Sequence, residues 1–448
     1  EIMPSLVGSE MCIRDRAPGT GSSGIIIANI FSLPDREVEK TYLRNFSALK
    51  GQVKVSLTTK SINGYGFIAL SQARGFTFLN YSLLPEIIHT RRNAAGKNEA
   101  IISLMLIIED SSGNIIYQKE RNFTLEVNEE RKKIFLDEKR LAFKDFAPII
   151  EGNYLVRITF LNKTSEEVFV YETKINVKPE GPFLLLGHKL IKLTNEKFIP
   201  FRLGKYKILP EPRLIFNQQD VLKGIIKTSQ EPVINLINVD NENIFIPITQ
   251  MEKDPQGLII FNLPLSQVKP GYYYLSASSG DQEFFRKIIT VTSANIKKTI
   301  DLETSDLRGA EFNYYFILAQ EYMNAGLLDK SIAFFEKLPP QLRNEVSLPL
   351  MAKAYYLKKD YAQVLNLLEN SRVPKTYSVL ALMANSALQL NQLEKAATYL
   401  ERLRQYGDTV SLNQTLAATF LSLGNKEKAK IYYERAKQLR KSTKEKKE

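Results

Sequence analysis

The amino-acid sequence predicts a multidomain β + α protein, in which two antiparallel β-sandwiches are followed by an α-solenoid of helical repeats. Before residue 300, apolar and polar residues alternate with a period of two, as in Gln52–Thr58 and Tyr154–Phe160. This period places alternate side chains on one buried face of a strand. After residue 302 the period becomes helical, and alanines recur at intervals of 33, 32 and 33 residues. A chain of 448 residues has room for about three such domains.

The first residues do not fit this pattern. Residues 6–16 resemble a translated sequencing adapter of the kind that contaminates the ends of assembled metagenomic reads. We therefore leave residues 1–16 out of the fold prediction as an adapter artefact, and we expect the natural N-terminus to lie upstream. Gly19, Gly21 and Gly24 match a dinucleotide-binding motif, but a β-type run follows them where that motif needs a helix. We predict no cofactor there.

The β half contains an internal duplication. Glu151–Val156 resembles Pro270–Leu275, because in each a turn glycine precedes a strand and a tyrosine stands two residues after the glycine, at Tyr154 and Tyr273. A tyrosine at this place resembles the tyrosine corner of immunoglobulin-like sandwiches, in which the hydroxyl bonds back to the backbone. The resemblance implies that both β-sandwiches are immunoglobulin-like.

The duplication also places the domain boundaries. We predict the first β-sandwich over residues 17–180 and the second over residues 181–300. A helix is predicted near residues 34–50, within the first domain, because Pro34 suits a helix start, Gly51 suits its end, and the apolar residues between them share one face.

The alanine repeat has the frame of a helix–turn–helix unit. The fixed alanines are Ala319, Ala352, Ala384 and Ala417. Gly326 and Gly424 fit the tight turn inside a unit, whereas Lys359 and Asn391 replace glycine in the two middle units. This frame resembles the tetratricopeptide repeat, a unit of about 34 residues. The resemblance implies four such repeats over residues 302–440.

Stacked repeats of this kind form a concave groove lined by the first helix of each pair. The groove positions carry aromatic, methionine, lysine and amide side chains, which suit an extended peptide or a partner helix. We predict that a protein partner binds at Asn313, Phe316, Gln320, Met323, Lys353, Tyr356, Asn385 and Gln414. In repeats that clamp a C-terminal carboxylate, the positions of Phe316 and Gln320 carry lysine and asparagine, so no such clamp is expected. The alternative is that these residues pack against the β half.

The sequence offers no recognisable catalytic, cofactor or metal site. Its two histidines, His89 and His188, lack acidic or cysteine neighbours at metal-ligand spacing. It contains no phosphate-binding loop, zinc-protease motif or nucleophile elbow. Asp240–Asn243 lacks the glycine and the glutamate of a calcium loop and predicts a hairpin tip instead. We therefore expect a protein without enzymatic activity and without a cofactor.

Charge and hydropathy exclude further classes of partner. The net charge of +12 is spread along the chain among acidic residues, so nucleic-acid binding is not expected. The densest basic run, at residues 441–448, predicts a disordered tail. No apolar run reaches the length of about 18 residues that a transmembrane segment needs. Tyr272 and Tyr274 share one strand face, and an exposed aromatic face there would favour a glycan-binding module.

The order of sandwiches and repeats resembles the C-terminal part of bacterial envelope proteins that begin with a von Willebrand factor A domain. The residues that carry this resemblance are Gly152–Arg157, the turn Lys269–Tyr272 and Asn313–Tyr315. It implies a periplasmic or cell-surface protein whose signal sequence lies upstream. We predict a non-enzymatic protein-interaction or scaffold module that binds its partner through the helical groove. The alternatives are an accessory region of an enzyme whose catalytic domain lies upstream, and a glycan-binding β module.

Overall fold

A computed structural model describes residues 12–14, 60–194, 198–241, 245–280, 282–304, 311–344 and 346–445. The chain divides into two compact units, and within the described residues the division falls between Ala325 and Gly326. The first unit is rich in β-structure and the second is helical, so the predicted order of a β half and a helical half is confirmed. The helix predicted near residues 34–50 lies outside the described residues. Of the excluded N-terminal segment, only Cys12–Arg14 is described.

The first unit is built from short and long strands in several sheets. Its described strands are β1 (Cys12–Arg14), β2 (Lys60–Ser61), β3 (Gly64–Ala73), β4 (Phe76–Pro85), β5 (Arg91–Arg92), β6 (Asn98–Asp110), β7 (Ile115–Val127), β8 (Arg140–Pro148), β9 (Gly152–Asn162), β10 (Glu167–Val177), β11 (Phe183–Gly187), β12 (Lys189–Lys192), β13 (Arg202–Leu203), β14 (Tyr206–Leu209), β15 (Ile215–Asn217), β16 (Val221–Lys227), β17 (Pro232–Asn238), β18 (Phe245–Pro247), β19 (Met251–Lys253), β20 (Ile259–Pro264), β21 (Gly271–Ser279), β22 (Gln282–Thr292) and β23 (Thr299–Glu303). A short helix, α1 (Glu129–Lys132), follows β7 and continues into a π-helical turn (Lys133–Glu138).

The first β region contains two sheets. One has the strand order β1-β7-β6-β9-β10-β2, with β5 paired to β6, and the other has the order β23-β8-β4-β3. The ring of Phe143 on β8 lies 5.8 Å from the ring of Phe123 on β7 and 5.3 Å from that of Phe160 on β9. These centroid distances show that the two sheets meet across an aromatic core.

The second β region also contains two facing sheets. Their strand orders are β11-β16-β20-β19 and β15-β22-β21-β17-β18, and β12, β14 and β13 form a small third sheet. Leu222 and Ile226 of the first sheet share one buried cluster with Leu236 and Leu275 of the second. Leu222 and Leu236 alternate with less buried neighbours along their strands, as the period of two predicts, whereas Ile225 beside Ile226 is buried in a second core.

Strand β11 is buried on both faces, which accounts for its unbroken apolar sequence FLLLG. Leu184 and Leu186 enter the core between the two sheets of the second β region. Leu185 lies in a second core, which it shares with Phe67 of β3. A strand covered on both sides needs no polar alternation. The two β regions therefore share an apolar core within one unit.

Strand β23 connects the two β regions. It follows the second region in sequence but pairs in parallel with β8 of the first, so the predicted boundary at residue 300 cuts through it. Its Asp301 Oδ2 lies 2.6 Å from Nζ of the buried Lys144, and its Glu303 forms an ion pair with Lys207 of β14. Periodicity does not reveal this connection, because alternation marks the buried face of a strand and not its partner.

The two predicted tyrosine corners make the same backbone contact. The hydroxyl of Tyr154 donates to the carbonyl oxygen of Glu151 at 2.8 Å. The hydroxyl of Tyr273 donates to the carbonyl oxygen of Lys269 at 2.9 Å. Both tyrosine side chains are buried, so each bond satisfies a polar group that burial has removed from water.

Removing one of these hydroxyls is expected to cost a single hydrogen bond. We expect Tyr273→Phe to lower the free energy of unfolding of the first unit by about 1 kcal/mol, because the ring keeps its place and only the bond to Lys269 is lost. The neighbouring Tyr272 is 57% exposed, so Tyr272→Phe is the matched control and should change stability by less than about 0.5 kcal/mol. Urea denaturation measures both. Equal effects would show that the corner bond contributes nothing.

After residue 310 the described part of the chain contains eight α-helices, which the repeat frame of the sequence groups two by two. The pairs are α2 (Glu311–Asn324) with α3 (Leu328–Glu336), α4 (Ser347–Leu357) with α5 (Tyr361–Glu369), α6 (Tyr377–Gln389) with α7 (Leu393–Leu403), and α8 (Val410–Ser422) with α9 (Lys426–Glu445). The turns inside the pairs place Gly326, Lys359, Asn391 and Gly424 at φ angles of 75°, 66°, 55° and 76°. Each stands seven residues after its fixed alanine. The two middle pairs therefore make the same left-handed turn without glycine.

The left-handed backbone at Gly424 makes a testable prediction about the turn inside the repeat. We expect Gly424→Ala to lower the free energy of unfolding of the second unit by about 1–2 kcal/mol, because an L-residue resists this conformation. A Cβ at Gly424 would meet no heavy atom within 4 Å, so crowding does not contribute. Gly407 has the same open surroundings without the left-handed backbone, so Gly407→Ala should be neutral or slightly stabilising. Thermal unfolding followed by circular dichroism at 222 nm compares them. Equal losses would contradict the conformational explanation.

A repeated polar contact joins the second helices of successive pairs. The hydroxyl of Tyr399 on α7 donates to Glu369 Oε1 on α5 at 2.5 Å, and the hydroxyl of Tyr432 on α9 donates to Glu401 Oε1 on α7 at 2.9 Å. In each case a lysine of the same helix as the tyrosine also reaches the carboxylate. The bond raises the pKa of Tyr432, along with burial, which is its larger cause. These contacts fix how each pair stacks on the next.

Candidate protein-binding surface

The first helix of the repeats, α2, belongs to the β-rich unit. The ring of its Tyr314 lies 5.1 Å from the ring of Phe78 on β4 and 4.7 Å from that of Phe198. Its Asn324 Nδ2 donates to the carbonyl oxygen of Ile116 on β7 at 3.0 Å. Tyr314 has no exposed surface. One side of α2 therefore packs against the β-rich part of the same unit.

The same side of α2 carries a buried carboxyl group. Glu321 Oε2 accepts a hydrogen bond from the backbone N–H of Ile150 at 3.0 Å, and Glu321 Oε1 is buried without a hydrogen-bond partner. Burial raises the pKa of Glu321 well above its usual value of 4.5, and the bond from Ile150 opposes this only in part. Because a buried ionised carboxylate is costly, the group favours the protonated form.

The four predicted binding residues on α2 differ in exposure. Asn313 is exposed, Phe316 and Gln320 are half-buried, and Met323 is buried. Phe316 and Met323 are seven residues apart and lie on the opposite side of the helix from Tyr314, because two residues turn a helix through about 200°. The predicted groove side of α2 is thus distinct from the side that carries Tyr314.

The other four predicted residues lie in the second unit. Lys353 and Tyr356 are on α4, Asn385 is on α6 and Gln414 is on α8. Lys353 and Asn385 are half-buried, and burial lowers the pKa of the Lys353 ammonium group. The ring of Tyr356 packs edge-on against that of Tyr361 with centroids 5.4 Å apart. Gln414 is exposed and stands at a different place in the repeat frame from the other three.

Two rows of equivalent positions follow the first helices of the second unit. The residues one and four positions after each fixed alanine are Lys353 and Tyr356 on α4, Asn385 and Leu388 on α6, and Ala418 and Leu421 on α8. The first row is polar on two helices, and the second row is aromatic or aliphatic on all three. A surface with a polar row beside an apolar row suits an amphipathic segment.

The sequence prediction missed the apolar residue at the end of the second row. Leu421 is 60% exposed, which is unusual for a leucine in a helix of a stacked repeat. Its position four residues after Ala417 matches that of Tyr356 after Ala352. Applying the offset of Tyr356 from its fixed alanine to the last repeat would have identified Leu421.

Comparison with known proteins identifies these helix pairs. A family model described as tetratricopeptide repeat matches residues 312–338 and residues 410–443. These ranges contain the first and the last helix pair. The chain carries tetratricopeptide repeats.

Part of the chain is similar to solved structures of other proteins. MamA of strain MSR-1 is 16% identical, with a match that covers 30% of this chain and 79% of that chain at a TM-score of 0.26. A thermophilic tetratricopeptide protein of Thermus thermophilus is 18% identical, with a match that covers 29% of this chain and 74% of that chain at a TM-score of 0.22. No curated protein sequence matches the chain.

The β-rich unit carries an exposed aromatic residue on one of its sheets. On β21, Tyr273 points into the core and Tyr272 is 57% exposed on the outer face, as the alternation predicts. On that face the guanidinium of Arg286 covers the ring of Tyr274, with its carbon 4.3 Å from the ring centroid. Val233 and Ile288 on the neighbouring strands are also exposed. Among the described residues of this face, one aromatic ring is therefore open, and its surroundings are aliphatic at Val233 and Ile288 and polar at Ser276 and Arg286.

The described residues contain no group of three or more side chains placed to hold a metal ion. His89 contacts the carboxylate of Glu167, and His188 lies elsewhere, where burial lowers the pKa of its imidazole. None of the described helices combines the length and the apolarity that crossing a bilayer requires.

Proposed function

We propose that this protein is a non-enzymatic scaffold whose tetratricopeptide repeats bind an amphipathic segment of a protein partner. The observation that carries the proposal is the pair of rows on α4, α6 and α8. One row presents Lys353 and Asn385, which bind carbonyl or carboxylate oxygens, and the other ends in the exposed Leu421. An exposed leucine in such a row is typical of a surface that a partner covers.

The proposal is tested with peptides selected on the intact chain from a random phage-displayed library. Isothermal titration calorimetry then compares the selected peptides on wild type, Leu421→Lys and Asn385→Ala. We expect each substitution to weaken binding about tenfold or more, because a lysine breaks the apolar row and an alanine removes the amide. Thr398→Arg, on the exposed surface of α7, is the control and should bind as wild type does. Equal affinity for all four proteins would contradict the proposed surface.

We also propose that the β regions are immunoglobulin-like and that the protein acts in the bacterial envelope. The two tyrosine corners and the facing sheets support the first proposal. The envelope location rests on the resemblance to von Willebrand factor A-related proteins. Recovery of the intact gene followed by cell fractionation tests it, and a catalytic domain upstream would favour an accessory role in an enzyme instead.

The glycan-binding alternative depends on the outer face of β21. Sugar-binding faces stack several open aromatic rings against sugars, whereas here Tyr272 alone is open and Arg286 covers Tyr274. The aliphatic neighbours Val233 and Ile288 add no hydrogen-bonding groups. The observations therefore favour the protein-binding scaffold over the glycan-binding module.

A further inference from the structure

The outward side of α9, the last described helix, carries apolar residues among its charged ones. Ala429, Tyr432 and Ala436 are buried and define the inner side of this helix. The opposite side carries exposed charged residues, and beside them Ile431 is 63% exposed and Tyr433 is 59% exposed. The side of an amphipathic helix that faces solvent is normally polar. Two exposed apolar residues there indicate a surface that another helix covers.

The equivalent positions in the preceding repeat, on α7, are buried. Tyr433 and Lys430 on α9 stand 33 residues after Leu400 and Ala397 on α7, and both of those α7 residues are only 4% exposed. The equivalent positions on α9 thus belong to a stacking face. The change from alanine to lysine at residue 430 means that the occupant has to supply an acidic group opposite it.

A second copy of α9 provides this acidic group when the two helices pair antiparallel. In this alignment the twofold axis crosses the helices at the level of residue 432. Lys430 of one copy then lies opposite Glu434 of the other, and Glu427 lies opposite Lys437, so that each contact occurs twice. All four residues are exposed, and none of them forms an ion pair within the described residues. The parallel alignment would instead put like charges opposite each other.

We propose that the protein self-associates through the outward side of α9, with the helices of two copies packed antiparallel so that Lys430 of each copy faces Glu434 of the other. In this arrangement Ile431 and Tyr433 lie on the two flanks of the central ion pairs, because two residues turn a helix through about 200°, and the partner helix covers part of each side chain. A twofold axis between the helices makes the interface the same patch on both copies. The ion pairs at the centre select the alignment, and the apolar residues on the flanks add buried area to the interface.

The test is a charge-swap cycle on the full chain, measured by sedimentation equilibrium over a range of protein concentrations. Wild type is expected to show a concentration-dependent dimer that weakens as salt is added. Lys430→Glu and Glu434→Lys should each weaken the dimer about tenfold or more, because each puts like charges face to face. The double variant Lys430→Glu/Glu434→Lys restores opposite charges and should dimerise as wild type does.

Two further measurements keep the test independent of folding. Circular dichroism should show the same thermal midpoint for all variants, since the substituted residues are exposed. Glu394→Lys, an exposed position on α7, is the control for added positive charge and should leave the dimer unchanged. Wild type that stays monomeric at all concentrations overturns the proposal, as does a double variant that fails to recover. A monomer whose α9 is protected from hydrogen exchange would show that another segment of the same chain covers it.

Discussion

Replacing Asp301 with asparagine is expected to lower the free energy of unfolding of the β-rich unit by about 3–5 kcal/mol, because it leaves a buried ammonium group without its counter-charge. Lys144 has no exposed surface, and its Nζ lies 2.6 Å from Asp301 Oδ2 and 5.6 Å from the centroid of the Phe201 ring. Burial lowers the pKa of Lys144, and Asp301 opposes that effect. Urea denaturation at neutral pH measures the loss.

The control for this prediction is an exposed ion pair in the same unit. Arg92 Nη2 and Glu129 Oε2 are 3.6 Å apart with side chains 72% and 65% exposed, so Arg92→Gln should cost less than about 1 kcal/mol. The double variant Lys144→Met/Asp301→Leu removes both buried charges and should be close to wild type in stability. A loss below about 1 kcal/mol for Asp301→Asn would mean that Lys144 does not depend on this carboxylate.

Raising the pH is expected to destabilise the β-rich unit through Glu321. The pKa of this carboxyl in the folded chain lies above its usual value of 4.5 because the group is buried. Its contribution is therefore fully present below about pH 4.5 and is lost as the pH rises toward the folded pKa, because the unfolded chain has already released the proton. Within that window the free energy of unfolding should fall by about 1.4 kcal/mol per pH unit from this group alone.

The variant Glu321→Gln isolates this group from others that titrate in the same range. Glutamine keeps an acceptor for the N–H of Ile150 but cannot ionise. The difference in urea stability between wild type and Glu321→Gln should therefore slope with pH in favour of the variant at higher pH. Glu86→Gln, at an exposed position, is the control and should run parallel to wild type. Parallel curves for both variants would show that Glu321 binds no additional proton on folding.

The sequence predicted those features whose cause is local. The tyrosines two residues after a turn glycine, Tyr154 and Tyr273, make the expected backbone bonds because strand alternation and a turn suffice to place them. The fixed alanines gave the phase of the repeats, and from that phase followed the first helices and the row that contains Lys353 and Asn385. The period of a helix or a strand is a pattern among residues close in sequence, so a single sequence is enough to detect it.

The features that the sequence did not predict depend on distant partners. The alternation of Thr299–Glu303 indicates a strand, but nothing in it indicates pairing with β8. Tyr314 fits the repeat frame of α2 equally well whether it packs on a neighbouring helix or on β4. Lys359 and Asn391 looked like departures from the frame, because a left-handed backbone is normally predicted from glycine. In each case the decisive contact comes from packing rather than from the local pattern.

The assignment of α2 to the β-rich unit has a consequence for the order of folding. Its contacts join residues far apart in sequence, since Glu321 is bonded 171 residues away to Ile150 and Asn324 is bonded 208 residues away to Ile116. Such contacts form late in folding, because closing a long loop of chain costs conformational entropy before the contact can stabilise it. Helices α4 to α9 contact near neighbours in sequence and can assemble early. During synthesis, the strands that contact α2 are therefore translated long before their helical partner, whereas each helix from α4 to α9 follows closely on the helix that it contacts.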